Sequence, residues 1–284
     1  MADGIIVLVD GSIYSRSVCE HAAWAAARTG APVTLLHVLG RREAPEGIDL
    51  SGNLVLGART ALLKELSELD EKRAKLARQR GRAILEDAKA IVQAAGAENV
   101  TTLLRHGDIV ETVNEMEGAA SMVAVGKRGE AADFAKPHLG SNLERIARSV
   151  HRPLLVAARA FKPIESVLIA YDGGASAMKA VDHVARDPLF QGLRISLLMV
   201  GTETAETRRK IEDARAMLKA GGLTADAEIR PGQPETVIAE KGEREGFDLL
   251  VMGAYGHSRI RTLIIGSTTT EMMRSCKVPV LLFR

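Results

Sequence analysis

The sequence predicts an α/β protein made of two doubly wound parallel-sheet domains of Rossmann-like type, arranged in tandem. Short apolar runs alternate with longer stretches of helical periodicity, and this alternation is typical of parallel sheets flanked by helices. The runs, such as Val33–Val38, are hydrophobic almost throughout, as expected of strands buried on both faces. The chain has 284 residues, close to the size of about 250–300 residues at which a single core stops growing. Two domains are therefore expected.

An internal repeat divides the chain into two copies. The run Ile5–Gly11 is matched by Ser166–Gly173. Later segments match in the same order: Arg105–Gly107 with Arg230–Gly232, Gly126–Gly129 with Gly253–Gly256, and Gly140-Ser141 with Gly266-Ser267. The copies meet between residues 158 and 164, so we expect domains at residues 1–158 and 164–284.

The repeat assigns five strands to each copy. In the first copy they are predicted near residues 5–10, 33–38, 100–105, 121–125 and 154–157. In the second copy they are predicted near residues 166–171, 194–200, 225–230, 248–252 and 279–283. Between the second and third strands, apolar residues at helical intervals predict a long helix within 53–95 and a shorter one within 203–220. Their charged residues are interpreted as a solvated helix face.

Composition excludes several classes of function. Lys and Arg total 38 against 36 Asp and Glu, a balance far below the clustered positive charge that nucleic-acid binding needs. Cys19 and Cys276 are far apart in sequence, which argues against a disulfide framework or a zinc site. No apolar run approaches 18 residues and the first residues lack a basic leader. We therefore expect a cytoplasmic protein without nucleic-acid or membrane partners.

The residues that follow strands one and four of the second copy form the candidate site. In open parallel sheets, ligands bind where the carboxyl ends of the strands lead into helix amino termini. Asp172 follows the first strand, Gly253 and Gly256 follow the fourth, and Gly266-Ser267-Thr268 opens the last helix. Glycines allow close approach of the backbone, and free amides at a helix amino terminus attract phosphate. The pattern predicts an anion site.

The spacing Gly253-x2-Gly256-x9-Gly266-Ser267 resembles the motif Gly-x2-Gly-x9-Gly-(Ser/Thr) of ATP-binding universal stress proteins. The resemblance covers nearly the whole chain and implies a tandem, stress-response member of that family with adenine-nucleotide-hydrolase-like domains. It implies that Asp172 and Val200 hold the adenosine and that Gly253 lies near the ribose. The phosphates would be held by Gly256, Gly266, Ser267 and Thr268. The implied ligand is ATP, with or without Mg²⁺, or else ADP or AMP.

The first copy departs from this motif. Gly126 and Gly129 are kept, but ten residues separate Gly129 from Gly140-Ser141, and that loop contains Glu130 and Asp133. Carboxylates beside a polyphosphate oppose binding unless a cation bridges them. Asp10, Gly126, Gly129, Gly140 and Ser141 therefore form a possible second site, and we expect nucleotide to occupy mainly the second copy.

Simpler structural roles are open for each of these residues. Asp10 and Asp172 are also suited to capping the helices that follow them, and Ser267 is suited to capping the last helix. Gly253 and Gly256 are suited to a tight turn. The matched histidines His21 and His183 are interpreted as structural residues of the first helix of each copy.

No sequence motif indicates catalysis or a metal site. The chain lacks a Gly-x4-Gly-Lys-(Ser/Thr) loop, a Gly-x-Ser-x-Gly elbow and a His-Glu-x-x-His pair. We therefore expect a regulatory or signalling nucleotide binder with at most slow hydrolysis, whose conformation an unidentified protein partner recognises. The alternatives are an ATPase or nucleotidyl-transfer enzyme, and an interaction scaffold that binds no nucleotide. The resemblance further implies that the last strands pair, either across a homodimer or within one chain.

Overall fold

The computed structural model describes residues 4–40, 56–127, 140–254 and 266–284, with the main chain alone at residues 56–62 and at Ser141. These residues form ten strands: β1 (Gly4–Leu8), β2 (Val33–Leu39), β3 (Val100–His106), β4 (Ala120–Gly126), β5 (Leu154–Ala157), β6 (Ser166–Ala170), β7 (Arg194–Val200), β8 (Ala225–Arg230), β9 (Leu249–Gly253) and β10 (Val280–Phe283). They also form eight α-helices: α1 (Ser15–Thr29), α2 (Leu56–Ala94), α3 (Ile109–Met116), α4 (Ser141–Ser149), α5 (Ala175–Arg186), α6 (Ala205–Ala220), α7 (Pro234–Glu245) and α8 (Ser267–Ser275). The predicted α/β class is confirmed.

All ten strands belong to one sheet with the order β3-β2-β1-β4-β5-β10-β9-β6-β7-β8. We call β1–β5 with α1–α4 the amino-terminal half, and β6–β10 with α5–α8 the carboxy-terminal half. Neighbouring strands within each half are parallel. The halves join where β5 and β10 pair antiparallel, with Val156 opposite Val280 and Leu154 opposite Leu282. The strand order is the same in both halves, and the last strands pair within the chain.

Alternate side chains of each strand enter two hydrophobic cores. Ile5 and Val7 of β1 pack on the face covered by α1, α2, α5 and α6. Ile6 and Leu8 pack on the face covered by α3, α4, α7 and α8. The sheet is therefore the middle of three layers, which explains why its strands are apolar on both faces.

The topology places one crevice in each half. Strand β6 lies between β7 and β9, and α5 and α8, the helices that follow β6 and β9, cover opposite faces. The chain direction across the sheet therefore reverses between β6 and β9, and the carboxyl ends of these two strands border a crevice. The same arrangement occurs between β1 and β4 in the amino-terminal half.

Candidate functional site

Asp172 lies directly beyond β6 and shapes the loop that leads into α5. Its Oδ1 accepts a hydrogen bond from the amide of Gly174 at 2.8 Å. Gly174 is the residue that caps α5, and no side chain caps this helix. The predicted capping role is therefore wrong, because Asp172 holds the turn ahead of the helix rather than an amide within its first turn. The Asp172 side chain remains exposed at the edge of the sheet.

Gly253, the last residue of β9, brings the amino termini of two helices together. A Cβ atom at this position would lie 2.9 Å from the main-chain nitrogen of Ala177 in the first turn of α5. On the other side, Thr269 Oγ1 in the first turn of α8 donates a hydrogen bond to the Gly253 carbonyl at 3.2 Å. Gly253 is therefore required for close helix packing, as a residue with a side chain would push α5 away.

The amino terminus of α8 is closed by main chain rather than by a side chain. Gly266 is the capping residue and has no side-chain cap, and its amide donates to the Ala254 carbonyl at 3.2 Å. Ser267 is the first helical residue, so the prediction that Ser267 caps the helix is wrong. Its side chain is exposed and that of Thr268 is half-buried. The positive end of the helix dipole and these two hydroxyls are suited to an anion.

The adenine-side position falls on the strand next to Asp172. The amide of Tyr171 donates to the Leu198 carbonyl at 2.9 Å, which continues the β6–β7 register beyond Ala170. Asp172 is therefore level with Val200, a half-buried residue that packs against the core covered by α7 and α8. The remaining predicted glycine, Gly256, lies outside the described residues.

Tyr171 is buried beside Asp172, with 2 % of its surface exposed. Burial raises the pKa of the Tyr171 hydroxyl, and the negative charges of Asp172 and Asp213 raise it further. The phenol is therefore protonated at neutral pH, and it contributes packing rather than a base.

Sequence reasoning missed Lys210 of α6. Gly173 has φ +77°, and a Cβ atom there would lie 3.0 Å from Lys210 Cδ, so the lysine stem covers the loop beside Asp172. The Lys210 ammonium donates to Glu206 Oε1 at 2.6 Å. This lysine places a cation near the crevice. Only the packing of α6 against the loop between β6 and α5 shows this, and the repeat gave no signal because the helices differ in length.

The amino-terminal half has a related arrangement with different contacts. Asp10 Oδ1 accepts from the Ser12 amide at 2.9 Å and from Ser15 Oγ at 3.3 Å, while Tyr14, the capping residue of α1, has no side-chain cap. Asp10 thus also shapes a turn instead of capping the helix. The neighbouring Gly11 has φ +76°. Ile84 Cδ1 covers this glycine and would lie 2.9 Å from a Cβ atom built on it.

The glycine positions of the amino-terminal half follow the same plan. Gly126 ends β4, and Gly140 precedes Ser141 as the capping residue of α4 without a side-chain cap. The Gly140 amide donates to the Lys127 carbonyl at 3.3 Å, which parallels the bond between Gly266 and Ala254. Gly129 and the loop carboxylates Glu130 and Asp133 lie outside the described residues.

Lys127, which the sequence places next to the first glycine motif, contacts the carboxy-terminal half. The side chain is buried, with 7 % of its surface exposed, and its ammonium donates to the carbonyl of Cys276. Cys276 is the capping residue at the carboxyl end of α8. A cation is favourable at this negative end of a helix dipole. In return, Arg284 Nη1 donates to the Arg148 carbonyl at the end of α4, at 2.7 Å.

Within the part of the chain that the structure describes, no three His, Cys, Asp or Glu side chains gather at a spacing suited to a metal ion. Among those same residues, no helix combines the length and the apolar character needed to cross a membrane.

A sequence model of the Universal stress protein family matches residues 1–158 and 194–284. The unmatched interval contains β6 and α5, and therefore Asp172. Universal stress protein Slr1230 of Synechocystis is 37% identical over 284 residues, covering 99% of this chain and 99% of its own length. That similarity includes the interval that the family model leaves out.

Solved structures share the fold along the whole chain. A universal stress protein from Archaeoglobus fulgidus superposes with a TM-score of 0.70 at 22% identity, covering 100% of this chain and 99% of its own. A Pseudomonas aeruginosa protein described as a universal stress protein superposes with a TM-score of 0.61 at 16% identity, covering 99% and 93%. At these identities the superpositions show the architecture alone.

Proposed function

The chain belongs to the universal stress protein family, and on that premise we propose that its carboxy-terminal half binds ATP or a related adenine nucleotide as a regulatory ligand. In this proposal the chain has two domains, residues 1–158 and 164–284. The second carries the principal site, and hydrolysis is at most slow.

The observation that supports this proposal is the meeting of two helix amino termini at Gly253. Asp172 fixes the turn into α5, Gly253 contacts the first turn of α5, and Thr269 attaches the first turn of α8 to Gly253. Two positive helix ends thus border the crevice between β6 and β9, and a nucleotide carries its phosphates into such a field.

Each part of the nucleotide has a proposed set of residues. The exposed carboxylate of Asp172 accepts hydrogen bonds from the adenosine, and Val200 provides an apolar contact. Gly253, between the first turns of α5 and α8, lies near the ribose, as the family motif implies. The phosphates take the amides and hydroxyls at the start of α8, from Gly266, Ser267 and Thr268, together with Gly256.

Binding rather than turnover is proposed because the described part of the site offers amides, hydroxyls, one engaged carboxylate and a single cation, Lys210, that is paired with Glu206. Phosphoryl transfer needs a positioned nucleophile and placed cations. Tyr171 is held protonated, and Asp172 is hydrogen-bonded to the Gly174 amide. ATP would instead stabilise the conformation that it binds, and a partner protein would read that conformation.

Thermal unfolding of nucleotide-stripped protein tests the proposal. Saturating ATP, at about 100 times its dissociation constant, adds about 2.7 kcal/mol to the free energy of unfolding and raises the melting temperature by several degrees. ADP and AMP are compared at equal concentration, with GTP as the control for the base. If ATP, ADP and AMP all leave the melting temperature unchanged, the proposed site is wrong.

A parallel assay separates a binder from an enzyme. Phosphate or nucleotidyl product is followed over many turnovers with the unmodified protein and with Asp172→Asn. Product formation that exceeds one equivalent per chain and disappears in the variant would replace the regulatory role with a catalytic one.

A further inference from the structure

The first part of α2 extends away from the rest of the protein. Gly81 packs on the sheet near the carboxyl ends of β2 and β3, because a Cβ atom there would lie 2.7 Å from Leu104 Cδ1 and 2.9 Å from His37 Cδ2. Helix α2 runs opposite to the parallel strands that it connects. The 25 residues Leu56–Arg80 therefore extend about 37 Å beyond the carboxyl edge of the sheet. We call this segment the α2 arm.

The α2 arm carries exposed leucines. None of its described side chains, from Leu63 to Arg80, is buried. The exposed fraction is 50% for Leu69 and 64% for Leu76. The described residues contain four exposed large hydrophobic side chains, and three of them, including Leu63, lie on this arm. Such a concentration of apolar surface is typical of an interaction site.

The spacing of these residues is that of a coiled-coil seam. Positions alternate at intervals of three and four in the order Leu66, Leu69, Arg73, Leu76 and Arg80. Leu76 and Gly81 are five residues apart, which is about 140° around the helix axis. The seam therefore lies on a different side of α2 from the line that packs on the sheet, which leaves it open to a second helix.

We infer that the α2 arm pairs with the α2 arm of a second copy of this chain in an antiparallel coiled coil. With a two-fold axis between Leu66 and Leu69, Leu66 packs against Leu69 of the partner subunit, and Leu69 packs against Leu66 of the partner subunit. The flanking residues then place Glu65 beside Lys72 of the partner subunit, and symmetry repeats this pair. Opposite charges at such flanking positions set orientation in coiled coils.

The opposite orientation brings like charges together. In a parallel, in-register pair, Glu65 would face Asp70 of the partner subunit and Arg73 would face its own counterpart. The charges thus favour the antiparallel arrangement. The antiparallel arrangement also leaves enough space for both subunits. Measured along α2, Gly81 lies about 20 Å from the two-fold axis, so the sheets of the two subunits stay about 40 Å apart.

Sedimentation velocity of the full chain, over about 5–200 μM, tests this inference. The unmodified protein is expected to show a concentration-dependent dimer. Leu69→Asp places two unpaired charges at the centre of the pair and is expected to raise the dissociation constant at least 100-fold, since burying an unpaired charge is strongly unfavourable. Circular dichroism and the melting temperature confirm that the variant folds. A monomer at about 200 μM, or a dimer that Leu69→Asp leaves unchanged, would overturn the inference.

Charge exchange distinguishes the orientation. Glu65→Lys is expected to raise the dissociation constant about three- to tenfold, because two attractive pairs become repulsive. The double variant Glu65→Lys, Lys72→Glu restores it to within about threefold. Glu71→Lys, on the opposite side of the helix, is the matched control and leaves it unchanged. Tighter association of Glu65→Lys would contradict the antiparallel arrangement, because only the parallel pair places that lysine beside Asp70.

Discussion

Ile84 and Lys210 occupy the same place in the two halves of the protein. Each covers the glycine that follows the first aspartate of its half, with Ile84 Cδ1 2.9 Å from a Cβ atom built on Gly11 and Lys210 Cδ 3.0 Å from one built on Gly173. One crevice is therefore bordered by an apolar side chain and the other by a cation. A polyphosphate meets a more favourable field in the carboxy-terminal half.

Substitutions at these two positions test whether this difference matters for the ligand. Lys210→Ile is expected to weaken ATP binding about three- to tenfold, since a partly exposed cation contributes on the order of 1 kcal/mol. Its loss also frees Glu206, whose charge then opposes the phosphates. Ile84→Ala, which changes the matched position without adding charge, leaves the affinity unchanged. Equal affinity in Lys210→Ile and the unmodified protein, measured by calorimetry, would exclude a role for this lysine.

A methyl group at Gly253 is expected to separate α5 from β9. Gly253→Ala places Cβ 2.9 Å from both the Ala177 nitrogen and Ser176 Cβ, so the free energy of unfolding falls by about 1–3 kcal/mol. Gly242→Ala is the control, because Gly242 lies inside α7 and a Cβ atom there meets nothing within 4 Å. That variant gains up to about 1 kcal/mol from helix propensity. Urea unfolding measures both, and equal stability of the two variants would contradict the described contact.

Lys127 is expected to stabilise the junction of the two halves and to leave ATP binding alone. Lys127→Met keeps the apolar stem but removes the hydrogen bond to the Cys276 carbonyl. The expected loss is about 1.5–3 kcal/mol in the free energy of unfolding, the range for bonds that involve a charged group. Lys75→Met, on the exposed face of α2, stays within about 0.5 kcal/mol. An altered ATP stoichiometry in Lys127→Met would place this lysine in a nucleotide site instead.

Stability is expected to depend on the protonation of His21. Burial lowers the pKa of His21, although the hydrogen bond with the Ser17 carbonyl partly opposes the shift. The unfolded chain therefore binds a proton more readily, so stability is complete above about pH 6.5 and falls as the pH drops towards the lowered pKa. The limiting slope for one group is about 1.4 kcal/mol per pH unit.

Unfolding free energies between pH 5 and pH 7.5 measure this effect. His21→Gln removes the titrating group and is expected to flatten the dependence, whereas His106→Gln, at an exposed position, keeps it. The same slope in His21→Gln as in the unmodified protein would assign the pH dependence to other groups.

Much of the fold could be predicted from the sequence because its strands are buried on both faces. Continuous apolar runs such as Val33–Leu39 leave little ambiguity, and each of the ten observed strands lies within about two residues of its predicted bounds. The long helix before β3 was predicted because apolar residues recur at helical intervals through residues 53–95, and α2 occupies Leu56–Ala94.

Side-chain roles at the site could be predicted only in part. The repeat identified Asp172, Gly253 and Gly266, but the capping roles of Asp172 and Ser267 were wrong, since a difference of one or two residues in where a helix begins decides which group caps it. The contacts that the Lys127 and Lys210 side chains make depend on how separate helices and loops pack against each other. No local pattern carries that information.

The proposed site depends on the stoichiometry of ATP binding, which calorimetry measures on nucleotide-stripped protein. Gly266→Val and Gly140→Val are compared, since they alter matched capping residues in the two halves. We expect one ATP per chain, lost in Gly266→Val and retained in Gly140→Val. Two ATP per chain, with Gly140→Val reducing the number to one, would contradict occupancy mainly in the carboxy-terminal half.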